Sequence, residues 1–159
     1  MPPELATRGA RLLAASLDEL ILLAIGLPMV FGAVRVVMDK VGAGEIPDVD
    51  DVLNAMVGGP GTIVTVVALI VWCVITTWLV ASNGQSIGKR LVGIKVVRTN
   101  GERASLARIF LLRNLVNGLP LLVLPYVGLL YQLIDPLLIY QPAQQCIHDK
   151  IADTIVVRS

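Results

Sequence analysis

Asp18 and Glu19 stand inside the apolar run Leu12–Val34, about two helical turns beyond Arg11. A run of that length can cross a bilayer, where a carboxylate costs about 2.5–3.5 kcal/mol even on insertion scales. Acids kept at that cost are candidates for binding a cation or relaying a proton. Arg11 and Asp18 project from nearly one helix face, with roughly 10 Å between their Cα atoms. Helix side chains lean towards the N-terminus, so Arg11 points away from Asp18 and each needs a partner elsewhere. Arg11 is expected to be interfacial, with its stem in lipid and its guanidinium at the headgroups. Asp18 is too deep for that and is expected to face a protein or water-filled interior. Glu19 lies about 100° further round the helix, so the two acids need not share one cavity.

Other polar groups interrupt the later apolar region. Arg113, Asn114 and Asn117 share one stretch, and Gln132 precedes Asp135 by three residues. These are natural partners for Asp18, and they read equally well as hydrogen-bonding glue between helices. His148 is the one histidine and is followed by Asp149. A structural link to the chain end is the favoured reading, with pH sensing as the lesser one. Cys73 and Cys146 are too few and too differently placed for a disulfide framework or a zinc site, and no second histidine completes a metal centre or a triad. Glu45, Asp48, Asp50 and Asp51 match no EF-hand spacing and read as a solvated loop that could gather cations. Gly84-Gln-Ser-Ile-Gly-Lys89-Arg90 is one residue short of a phosphate-binding loop and has Arg where a magnesium-binding hydroxyl belongs. No catalytic residue, metal, cofactor or nucleic-acid partner is expected, and the chain is not read as an enzyme.

The elements that must position these residues follow from composition. Of 159 residues 55% are hydrophobic and 16% charged, and the mean hydropathy of +0.77 is too apolar for one soluble core. The expected fold is an all-α integral membrane helix bundle with a small cytoplasmic β-hairpin or sheet. It has two clear spans, residues 12–34 and 62–82, joined by an acidic extracytoplasmic loop, 35–61. Acids interrupt the first run and no small-residue cleavage site closes it, so it is expected to stay in the mature protein. Pro28, with Gly26 and Gly32, is expected to bend the outer half of the first span. Leu106–Gln141 is too long for one crossing and is broken by Gly118, Pro120 and Pro125. Two helices, 105–119 and 124–141, fit it. An interfacial helix ending at Asn117 and one span from Leu119 to Tyr140 fit as well. Tyr126, Tyr131 and Tyr140 read as interface anchors.

Orientation follows from the basic residues. Residues 84–113 carry Lys89, Arg90, Lys95, Arg98, Arg103, Arg108 and Arg113 against Glu102 alone, whereas the first loop carries mostly acids. The positive-inside rule makes the basic stretch and the N-terminus cytoplasmic. Leu91–Arg98 is β-branched and runs into Asn100-Gly101, which predicts a hairpin within residues 84–104 with a type I′ turn. Thr154–Val157, within the segment 148–158, would supply a third strand, which requires a cytoplasmic C-terminus.

Together these residues resemble the RDD family of small bacterial membrane proteins, named for one arginine and two aspartates. The resemblance runs through Arg11–Asp18, then Gly84, Gln85, Gly88 and Lys89 on to Val97, and closes with His148, Asp149 and the residues to Val157. Asp153 stands where the family pattern has glycine, so a tight backbone position is expected to be relaxed there. The resemblance implies transport of an undefined ligand, and some members look like sodium/proton antiporters. A transporter or transporter subunit for a cation or small solute is therefore the leading expectation. It would sit in the bacterial inner membrane and work as a homo-oligomer or with another membrane protein, because so few spans enclose little volume. The alternative is a non-transporting accessory protein whose basic surface docks a partner or anionic lipid.

Overall fold

The computed structural model describes residues 4–109, 112, 123–141 and 145–159. They form two compact units, residues 17–76 and residues up to 16 together with 77–159.

The first unit holds two long apolar helices. α1 spans Arg8–Gly42, of which the part from Leu17 belongs here, and α3 spans Pro60–Asn83, of which the part up to Thr76 belongs here and the rest to the second unit. Both are long and apolar enough to cross a membrane, and only 6% and 17% of their most apolar windows are buried. At 1.5 Å per residue, the 35 residues of α1 exceed the hydrocarbon core of about 30 Å. Helix continues past the apolar run through Lys40, whose charge suits the C-terminal end of the helix dipole. Pro28 lies inside α1, and α3 packs at that level: Thr65 Oγ1 donates to the Ile25 carbonyl at 3.2 Å, and Gly61 lies against the Pro28 carbonyl. A Cβ on Gly61 would fall 2.2 Å from that oxygen, so only glycine permits this approach.

The segment read as an acidic loop is largely helical. α2, Val49–Gly58, starts at a capping box in which the Asp51 amide donates to Asp48 Oδ1 at 2.8 Å and the Asp48 amide to Asp51 Oδ2 at 3.1 Å. Lys40 Nζ pairs with Asp51 at 2.6 Å and with Glu45 at 3.9 Å. The Asp51 carboxylate raises the Lys40 pKa, and Lys40 in turn holds Asp51 below the usual carboxylate range. These acids cap and pair.

The second unit is organised by a two-stranded antiparallel sheet, β1 (Ile94–Arg98) with β2 (Thr154–Arg158), with Val96 opposite Val156. The predicted hairpin is corrected in two ways. Leu91 and Val92 belong to a short helix, α4 (Ile87–Val92), because Ser86 caps its start and Gly93, at φ +74°, ends it left-handed. The return strand shrinks to one bridge, Val97 to Arg103, and the long partner of β1 is β2. Gly101 alone in the turn has positive φ, +84°, so the turn is not type I′, which needs two such residues. The predicted strand 148–158 is also shorter, since Ile147–Ile151 forms a helix, α6, before β2 begins.

Residues 4–6 line the other edge of β2. The Ala6 amide donates to the Val156 carbonyl at 2.9 Å, and the Arg158 amide donates to the Glu4 carbonyl at 3.1 Å. Ala6, Ala14, Val80, Ile94, Val96, Ala104, Ile109 and Val156 form the core beneath the sheet. Before α6 comes α5, Pro125–Leu137, closed by a 3₁₀ turn over Leu138–Tyr140. Most of the predicted helix 105–119, with Gly118 and Pro120, lies outside the described residues, as does the choice between one and two crossings there.

Candidate functional site

The densest group of ionisable side chains lies where α5 meets α6. Asp135, near the end of α5, is 1% exposed. Its Oδ1 accepts the Ile147 amide at 2.8 Å, and its Oδ2 forms a short hydrogen bond with His148 Nδ1. The other ring nitrogen, Nε2, lies 3.6 Å from Asp149 Oδ1, within ion-pair range. Asp149 is likewise 1% exposed, and its carboxylate and carbonyl accept the Thr154 hydroxyl at 3.5 and 3.4 Å. The imidazole is held between two buried carboxylates, and these contacts fix its ring plane. This matches the expected structural link: the His148-Asp149 pair fastens α5 to the turn that launches β2.

Arg11 extends the same unit from α1. Its Nη2 donates to the Val156 carbonyl at 2.9 Å, so the arginine reaches β2 through its guanidinium. Arg8, one turn earlier, donates to the Tyr140 carbonyl at 3.3 Å and lies 5.5 Å from that ring's centre. Gln85, buried, donates Nε2 to the Ile94 carbonyl at 3.0 Å. Gly84, at φ +70°, accepts the Val96 amide at 2.9 Å, and a Cβ there would stand 2.6 Å from the Val96 oxygen. Gly88 is buried within α4, and Lys89 is half-buried beside it. The Gly84–Lys89 motif therefore builds the joint between α3, α4 and β1.

Asp18 is half-buried and Glu19 exposed on the part of α1 that belongs to the first unit. Arg113, Asn114 and Asn117, and the side chain of Gln132, lie outside the described residues. Two features were hidden from sequence reasoning. Cys146 is 5% exposed and its thiol, the His148 ring and the Asp135 carboxylate all lie within 4.8 Å of one another, so a suitably placed cysteine exists after all. Asp153 adopts φ +52°, so the position is left-handed and not relaxed. Its carboxylate is kept there by the Thr99 hydroxyl and by Arg98 and Arg108 at 3.4 and 3.7 Å.

Two apolar helices of a length that could cross a membrane stand in one short chain with a small two-stranded sheet. The model for the RDD family matches residues 5–153, and the chain belongs to that family. No curated protein and no solved structure matches it.

Proposed function

We propose that this RDD-family protein is a transporter, or a subunit of one, that moves a cation or small solute across the bacterial inner membrane, with sodium/proton exchange as the form to test first. The observation that carries the reading is Asp18, a half-buried carboxylate within an apolar helix that buries almost none of its spanning window inside the protomer. A charge at that depth is expensive unless it meets water, an ion or a partner. On α3, the Trp72 indole nitrogen and the Thr76 hydroxyl are buried with no hydrogen-bond partner among the described residues. A bundle of two to four spans encloses little volume, so the pathway runs between protomers or along a second membrane protein. The pairing of residues 4–6 with β2 supports N- and C-termini on the same, cytoplasmic side. Catalysis plays no part in this reading.

The test is purified protein in liposomes bearing a pH gradient. Addition of sodium, potassium or calcium should collapse the gradient faster than in protein-free liposomes. Identical decay with every cation would sink the transport reading.

A second reading, docking of a partner or an anionic headgroup, is favoured by a cleft of about 420 Å³ lined by Gln85, Lys95, Arg103 and Ser159 among others. It predicts that neutralising Lys95 and Arg103 disables the protein while Asp18→Asn leaves it intact.

A further inference from the structure

Asp135, Cys146 and His148 offer one oxygen, one sulfur and one nitrogen, all within 4.8 Å of one another and all in one unit of the fold. Tetrahedral zinc binds such donors at about 2.0–2.3 Å, which sets them roughly 3.3–3.7 Å apart. An ion would take the place of the hydrogen bond between Asp135 Oδ2 and His148 Nδ1, so these two donors part as it enters. The surroundings already orient the donors. Asp135 is fixed through its second oxygen by the Ile147 amide, and Asp149 faces the nitrogen of His148 opposite to the one turned towards Asp135. A carboxylate on the far side of a ligating imidazole is the usual support for a metal-bound histidine. The Tyr131 hydroxyl, one helical turn before Asp135, is buried and turned towards the Asp135 carboxylate. Asp135 and Cys146 are close enough to act on it electrostatically. It could hold water at a fourth coordination position.

We propose that Asp135, Cys146 and His148 bind a transition-metal dication of the zinc class, with His148 ligating through Nδ1 and Asp149 supporting it. Thiolate and carboxylate together neutralise the dication, which suits a site where Asp135 is 1% and Cys146 5% exposed. On binding, the thiol releases its proton to solvent. The proton on Nδ1 either leaves as well or is replaced by one on Nε2, facing Asp149. A sulfur ligand selects zinc, cobalt or cadmium over the hard cations calcium and magnesium. The ion would clamp α5 to the turn before β2, and the inference stands whether or not the chain transports anything.

The experiment uses full-length protein in detergent, stripped with chelator and titrated with zinc or cobalt. Wild type and Cys73→Ser should each take up one ion per chain, and the cobalt form should show thiolate-to-metal absorption. Cys146→Ser should lose that absorption and weaken zinc binding about 100-fold. Against the chance that this variant misfolds, the slow alkylation of buried Cys146 by a small reagent, through local opening of the fold, is timed in Cys73→Ser with all three ligands intact. Zinc should slow it at least tenfold, and magnesium should leave it unchanged. Equal alkylation with and without zinc, or an intact cobalt–thiolate band in folded Cys146→Ser, overturns the proposal.

Discussion

His148 Nδ1 and Asp135 Oδ2 share a short hydrogen bond across thirteen positions of sequence, joining two helices in a site from which solvent is nearly excluded. Removing one member leaves the other buried without its counterpart, which costs more than the pair is worth. Asp135→Ala also orphans the Ile147 amide, and it should lower stability by about 3–5 kcal/mol. His148→Ala in that background should cost little more, giving a coupling energy above roughly 1 kcal/mol. Thermal melts of the two single variants and the double variant in one detergent check this, and additive losses would contradict the clasp.

Asp153 supplies an acid-sensitive fastening on the exposed side of the same unit. The Thr99 hydroxyl first, and then Arg98, hold its carboxyl below the ordinary range. Because the folded value is depressed, the contribution is fully present above the unfolded value of about 3.9 and fades as pH falls through the lower folded one. Asp153→Gly relieves a left-handed φ while losing these partners. Its melting temperature should therefore fall less steeply than wild type between pH 5 and 3, as differential scanning fluorimetry can show.

Gly61→Ala would put a methyl group 2.2 Å from the Pro28 carbonyl oxygen, against backbone that cannot rotate away. The expected loss is about 1–3 kcal/mol as the two helices separate. Gly26→Ala is the control, since a Cβ there meets nothing within 4 Å and gains helix propensity. A loss from Gly61→Ala no larger than from Gly26→Ala would refute the close contact.

Membrane sidedness can be read from exposed single cysteines. Cys146 is shielded by the fold whichever side it occupies, so it is a poor reporter. In a Cys73→Ser background, Ile46→Cys, at a position 94% exposed, should react with an impermeant maleimide on intact cells. Asn100→Cys, on the exposed turn after β1, should react only after permeabilisation.

The two long apolar helices were legible because hydropathy over some twenty residues is a local sum that tertiary contacts hardly alter. Their ends were not: α1 runs on to Gly42 and acids expected in a loop cap α2, since helix persists wherever caps and ion pairs support it. The pairing of β1 with β2 was foreseen from β-branched runs, but Leu91 and Val92 went to α4 because Ser86 and Gly93 bracket a helix. The site divides the same way. Asp18 is visible as a charge out of place in an apolar run. The meeting of Asp135, Cys146 and His148 is a product of folding, and a lone histidine and a lone cysteine carry no spacing signal before it.

Asp18→Asn tests the central claim most directly, because it preserves shape and removes the charge. Melting temperature and cation-dependent dissipation of a pH gradient should be measured on one preparation reconstituted beside wild type. Transport through a site containing Asp18 predicts near-wild-type melting with cation-dependent flux reduced to the level of empty liposomes. Wild-type melting together with wild-type flux would contradict it.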